Sequence, residues 1–375
     1  MTPTDPAESV ALTVREPADL IAAVPYLIGF HPTDSVVVVG MRDASVIFAA
    51  RADLLDDAVP ADIRAAATAQ LVSIVDRQRV DAAVVLGYGP ADTVDPTVDV
   101  TANALRQLGI PLLDALRVTD DRYWSYYCDD PTCCPPEGRQ IAPGVSPLAV
   151  AATVAGQVAL PDRTALRQQV EPVTGVARQA LRAATERARV RWSALVDQAP
   201  PSDLLGARTL RRAGEKTIRL LLDRQRRGAA PTDDDVAWLT LLLTDLAVRD
   251  YAWERITDEP WQVTFWQDVL RRAEPELAAG PASLLAFAAW RLGNGALARV
   301  ALDRVLDTEP DYSMARLMDD VLVRGISPAA LGDWPKRDQD GGDGRAGRID
   351  RRRGRRRRPD SERRDRARPA GRRRP

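Results

Sequence analysis

Histidine is almost absent from this sequence. His31 is the only one among 375 residues, so a Ser-His-Asp triad, a His-rich zinc site or an imidazole proton relay has a single residue to draw on. The scarcity argues against most hydrolase readings. Cysteine is nearly as scarce, with only Cys128, Cys133 and Cys134, an odd number that argues against a disulfide framework and for reduced thiols or a metal site. Long apolar runs are missing too: none approaches the ~20 residues that span a bilayer. The start, Met1-Thr2-Pro3-Thr4-Asp5, lacks the basic and apolar segments of a signal peptide. The expectation is a cytoplasmic protein with no membrane association.

Phosphate and calcium motifs fail on inspection. No GxGxxG follows a strand signal, and Gly214-Glu215-Lys216-Thr217 resembles the end of a phosphate loop only superficially, inside a helical stretch. Asp338, Asp340 and Asp343 have calcium-loop spacing, but Gly342 occupies a ligand position and Ile349 stands where the bidentate carboxylate belongs.

What is present is a hydrophobic fraction of 45%, enough for a sizeable core and two ordinary domains. The net charge of −1 hides strong segmentation. Residues 1–162 carry −12, residues 163–228 carry +9, residues 229–335 carry −9 and residues 336–375 carry +11. A near-neutral total is therefore no argument against a polyanionic partner.

The first half alternates strand and helix signals. Val36 to Gly40 and Ser45 to Arg51 read as a hairpin, Ile63 to Val75 as a helix, and Asp81 to Gly87 as a buried strand. A helix is expected from about Pro96 to Leu108, with strands at Leu112 to Val118 and Tyr123 to Tyr127. This rhythm predicts a layered α/β domain over residues 10–150. Strand signals stop after about Ser146. Residues 151–228 read as a basic helical segment, with helices over Val173 to Asp197 and Leu204 to Arg227. Residues 229–334 read as an all-helical domain. Within it Thr232 and Asp233 to Asp235 form an N-terminal signature ahead of a helix carrying Val236, Leu239, Leu243 and Leu246. The Gly293-Asn294-Gly295 turn, with Ala298, Leu302 and Val305 ahead of Pro310, partly matches a tetratricopeptide-like hairpin, although a solenoid needs ~3 such units. A plain antiparallel helix pair explains the same pattern, and either form leaves a surface for a protein partner. Residues 335–375 read as a disordered tail. Its 16 arginines between Arg345 and Arg374 suit non-specific binding of nucleic acid or another polyanion. A solubilising appendage is the alternative, because the whole chain favours Arg over Lys, 50 to 2.

Two local constellations carry possible chemistry. His31 precedes Pro32, and Asp34-Ser35 approaches the Val36 strand; with Arg51 these either present a ligand or fix the start of the strand. The second follows an aromatic strand that includes Trp124, a further ligand-binding candidate. There Cys128, Cys133 and Cys134, with His31 as a fourth ligand, make a candidate zinc set, against packed or redox-responsive thiols. Asp129 and Asp130 make that loop acidic, so without a metal its thiols are expected to stay protonated. Cys128 is expected within ligand or disulfide reach of Cys133 or Cys134.

The segments Val24 to Val38, Trp124 to Cys128, Cys133 to Gly138, Pro281 to Trp290 and Pro310 to Ser313 together resemble the bacterial domain of unknown function 4192 family over roughly Leu12 to Pro328. That family carries no assigned activity, so the resemblance implies no mechanism. The reading taken from the sequence is a non-catalytic binding or scaffolding protein. The alternative is an enzyme or ligand sensor whose site gathers His31, Asp34, Arg51 and the Cys128 loop. A single concave pocket holding all of them would favour that second class.

Overall fold

A computed structural model of the protein describes residues 16–43, 45–141 and 158–332. The β-branched run at its N-terminal end makes strand β1 (Ser35–Arg42), which turns into β2 (Ser45–Asp53) and pairs with it antiparallel from Ser35↔Asp53 to Arg42↔Ser45. The register slips between Gly40 and Met41. At Gly40 a Cβ would lie 2.1 Å from the Phe48 ring and 2.6 Å from Val80, so only glycine lets these chains close. On its other side β1 pairs antiparallel with β3 (Ala82–Tyr88). A crossover through helix α3 (Ala91–Gln107) returns the chain as β4 (Leu112–Thr119), parallel to β3. Antiparallel β5 (Arg122–Ser125) and the two-residue β6 (Arg139–Gln140) complete a mixed six-stranded sheet of order β2-β1-β3-β4-β5-β6.

Helices α2 (Ala61–Arg77) and α3 cover one face of the sheet, burying Leu71, Val75, Val94, Val98 and Leu105 against Val36, Val38, Val85 and Ala115. Each such side chain contributes about 1.5–3 kcal/mol on leaving water. Glycine again sets the approach: a Cβ on Gly87 would come within 2.2 Å of Val94.

Helix α1 (Pro17–Ile28) packs against β2. The sequence reading did not include this helix, which carries Pro25 in its interior. Helix α3 begins at Ala91, five residues ahead of Pro96, which it carries in its interior. The aromatic strand ends at Ser125, because Tyr126 and Tyr127 turn to meet Asp95 and Arg106 of α3.

Beyond Gln140 the named elements are helical: α4 (Arg163–Gln168), α5 (Gly175–Asp197), α6 (Ala207–Arg226), α7 (Asp233–Leu242), α8 (Leu246–Trp253), α9 (Pro260–Arg272), α10 (Ala279–Arg291), α11 (Gly295–Leu306) and α12 (Ser313–Val323). The Thr232 hydroxyl accepts from the Asp235 N–H at 3.2 Å while the Asp235 carboxylate accepts from the Thr232 N–H at 3.0 Å, closing a capping box at the start of α7. The helix expected to run on through Leu246 breaks before Asp245, whose carboxylate caps α8 by accepting from the Ala247 and Val248 N–H groups at 2.8 and 3.3 Å. Helix α10 is buried from Ala279 through Trp290 and forms the centre of this part, packed by α9, α11 and α12. The α10–α11 turn is capped by Asn294, which accepts from the Leu297 N–H at 3.0 Å. Expectations for the Arg-rich tail lie outside the described residues.

The charge segmentation has a structural meaning. Arginines of the basic α5 and α6 reach acids of the following segment: Arg178 to Glu274, Arg187 to Asp234, Arg189 to Glu276 and Arg224 to Asp235. Two blocks of opposite sign, adjacent in sequence, thus neutralise each other across the helix interface.

The turn that follows α12 is tied back to α2. The Gln70 side chain donates to the Val323 carbonyl, Arg77 to Arg324 at 2.7 Å and Gln78 to Gly325 at 2.5 Å. Gly325, at φ +59°, lies against Ile74, where a Cβ would come within 2.5 Å.

Candidate functional site

The β1–β2 constellation forms where β1 begins and β2 ends. Arg51 projects from β2 onto Asp53 at 2.6 Å and donates from Nε to the Ser35 hydroxyl at 2.9 Å. Ser35 donates to the Thr33 carbonyl. Asp34 takes a left-handed backbone (φ +42°), and its carbonyl accepts from the Leu54 N–H at 2.9 Å. Burial draws the Arg51 pKa down, opposed by Asp53. His31 is exposed, and its backbone N–H donates to the Leu160 carbonyl at 2.9 Å. These contacts brace the start of β1 and commit Arg51 to protein partners.

The thiol loop lies on the far side of the sheet. From β1 the order passes through β3 and β4 before β5, a lateral distance of roughly 14 Å at the usual strand spacing. Ser35, Tyr88, Val118 and Tyr123 share one row, and from there β5 runs away from the edge at which His31 lies. His31 is therefore not brought to the cysteines. Among the described residues the thiol group consists of Cys128, Cys133 and Cys134, whose Sγ atoms lie within 4.8 Å of one another. All three are free thiols.

A tight turn makes this convergence. The Asp130 carbonyl accepts from the Cys133 and Cys134 N–H groups at 3.1 and 2.6 Å, and its carboxylate accepts from Thr132 N–H at 2.8 Å. Trp124 then anchors the returning chain: its indole N–H donates to the Pro136 carbonyl at 3.0 Å. Gly138 lies on the ring, where a Cβ would be 2.5 Å from Cε2, and its φ of +80° suits glycine as well. Arg122 donates to the Gly138 carbonyl at 2.9 Å. Trp124, a ligand-contact candidate in the sequence, also seats the loop.

The thiols are not equivalent. The Cys128 pKa is lowered, chiefly by the hydrogen bond it accepts from Cys134 and then by backbone bonding at Asp130. Cys134 is pushed up to about 12 by desolvation and by donating to Cys128. The hydrogen bond between them favours ionisation at Cys128 and opposes it at Cys134.

Beneath Trp124 lies a polar group that sequence reading missed. The Arg117 guanidinium stacks on the indole at 4.0 Å and stands 3.6 Å from Asp95, which accepts from the Tyr126 hydroxyl. Burial raises the Tyr126 and Asp114 pKa values, and Asp114 accepts from Ser125 at 2.7 Å. A lone Asp and a lone Arg within the apolar strand Leu112 to Val118 were the available signal.

The family described as Domain of unknown function (DUF4192) matches residues 17–329. This chain belongs to that family. The match spans the sheet, the thiol loop and the helices through Pro328, and stops short of the Arg-rich segment. No curated protein and no solved structure matches the chain. Among the described residues no helix is long and apolar enough to cross a membrane.

Proposed function

We propose that this DUF4192 protein is a non-catalytic, cytoplasmic binding or scaffolding protein. Its α/β domain (10–150) supports a basic helical segment (151–228) and a helical domain (229–334), and these C-terminal helices take a protein partner. The Arg-rich tail (335–375) takes nucleic acid or another polyanion. The carrying observation is the dispersal of the chemistry-bearing residues: Arg51 and Asp34 are engaged beside β1, while the thiols lie beyond β5. A catalytic constellation would need them gathered in one pocket.

The helices supply a binding feature instead. Between α5 and α6 the chain turns through Leu204 and Leu205, which are 82% and 78% exposed, and Leu205 has φ +56°. Holding a leucine left-handed costs about 1–3 kcal/mol, and presenting two leucines to water gains nothing in the isolated protein. A partner that buries them supplies the missing compensation. Because the basic helices pair with acids of the next segment, the unmatched positive charge falls on residues 336–375, at +11.

Site-specific photo-crosslinking in the full-length chain tests this reading. A probe at Leu205 is expected to capture one protein, and a probe at His31 none. Retention of a small molecule that His31→Ala and Arg51→Ala both release would overturn it in favour of a ligand sensor. Polyanion binding is expected to weaken steeply with salt, by about one log-log slope unit per phosphate contact, and to disappear when the tail is removed.

A further inference from the structure

We infer that Cys128, Cys133 and Cys134 form a tri-thiolate site for a thiophilic divalent cation of the Zn2+ class, with a fourth coordination position left open to solvent. The inference is independent of the binding role proposed above. It begins from a mismatch between these cysteines and the usual reason for burying one. Free cysteines that serve as packing are small hydrophobes within a core. Here Cys133 is exposed and the other two are half-buried, yet the three sulfurs converge from a seven-residue span.

The geometry needs little adjustment. Sulfurs around tetrahedral zinc stand ~3.8 Å apart, given Zn–S bonds of ~2.3 Å, and the thiols already lie within 4.8 Å of one another. The sulfurs therefore need to close by about 1 Å at most. That backbone is fixed by the Asp130 carbonyl, which holds the Cys133 and Cys134 amides, and by the Trp124 bond to Pro136. Adjacent cysteines are usually awkward partners for one ion, and the turn at Asp130 is what lets both face Cys128.

Charge selects the class of ion. The segment Cys128–Gly138 contains Asp129, Asp130 and Glu137 and no basic residue. Three thiolates there are untenable without a cation. A divalent ion leaves the tri-thiolate cluster at a net −1, whereas a monovalent ion leaves −2, so the divalent ion fits better. Each sulfur gives its proton to solvent as its bond to the metal forms, and no electron is transferred because Zn2+ is redox-inert. His31, beyond the opposite part of the sheet, is not the fourth ligand, and water is the available occupant.

The test uses full-length protein, reduced and stripped with a chelator. Zn2+ is titrated in competition with a chromophoric chelator, and Co2+ is titrated while the near-ultraviolet spectrum is recorded. Expected are one ion per chain, cobalt charge-transfer intensity appropriate to three thiolates, and proton release on binding. Cys133→Ser, at an exposed position, is expected to lower Zn2+ affinity by at least about tenfold, with unchanged circular dichroism. His31→Ala should bind like the wild type. Failure of the reduced protein to compete for Zn2+ would overturn the inference, and so would a cobalt spectrum without thiolate bands. Loss of binding in His31→Ala would overturn the ligand set. Should the stripped protein form a Cys128–Cys134 disulfide in air and bind no ion when reduced, the loop is a redox pair instead.

Discussion

Trp124 and Gly138 lie face to face, with the glycine backbone so near the indole that a methyl group on it would fall 2.5 Å from the ring. The same ring stacks on Arg117 through its other contacts and donates to Pro136. One aromatic side chain therefore couples strand β5, strand β4 and the return of the thiol loop.

Gly138→Ala is expected to unseat that loop. The added methyl group overpacks the indole, and the left-handed backbone disfavours alanine, so together they cost about 1–3 kcal/mol. Urea unfolding measures the loss, and Trp fluorescence should change along with it. A variant as stable as the wild type would show that the loop moves freely off Trp124.

Two ion pairs between the basic and acidic helices are predicted to differ in value. The side chains of Arg178 and Glu274 are only 15% and 9% exposed, whereas those of Arg187 and Asp234 are 59% and 63% exposed. Arg178→Met strands a buried carboxylate and is expected to cost about 3 kcal/mol or more. Arg187→Met is expected to cost under about 1 kcal/mol. Parallel chemical denaturation of the two variants checks the ranking.

Asp203 gives the α5–α6 connection a defined acid sensitivity. Its carboxylate accepts from the Thr209 hydroxyl at 2.7 Å and from the Arg208 and Thr209 N–H groups at 2.9 and 2.8 Å, which hold its pKa down at about 2. A depressed carboxylate pKa stabilises the fold above its unfolded value, near 4, and that contribution fades as the pH falls towards about 2. Asp203→Asn is expected to flatten the stability profile across this window. A profile of unchanged slope would place the acid sensitivity elsewhere.

Thiol reactivity should follow the asymmetry of the loop. In metal-free protein Cys128 is expected to alkylate ahead of Cys134, because the hydrogen bond between them favours the Cys128 thiolate and opposes ionisation of Cys134. Peptide mapping after brief iodoacetamide treatment reads the order directly, and equal labelling would contradict it.

Much of the sheet was legible in the sequence because its strands are continuous β-branched runs bounded by turns, as Val36 to Gly40 illustrates. The cap at Thr232 was legible for a similar reason: hydroxyl and carboxylates stand in adjacent positions with one electrostatic purpose. Helix α1 was hidden by Pro25, although Pro17 at its first turn is a favoured starting residue. Strand β6 was invisible because Arg139 and Gln140 are exposed at an edge and carry no apolar alternation. The convergence of the thiols followed from their spacing. The distance of His31 from them did not, since strand order is decided by long-range packing that local patterns do not encode. The stacking of Arg117 on Trp124 was unreadable for the same reason.

The stitch between α2 and the turn at Val323 to Gly325 orders events during synthesis. The partners of Gln70, Arg77 and Gln78 emerge from the ribosome some 250 residues later, a delay of roughly 10 to 50 s at typical elongation rates. For most of that interval the outer side of α2 stays bare while the sheet beneath it, complete in sequence at Gln140, is already available to form. The nascent protein therefore carries an unfinished surface for most of its translation, a period in which a chaperone would find something to hold.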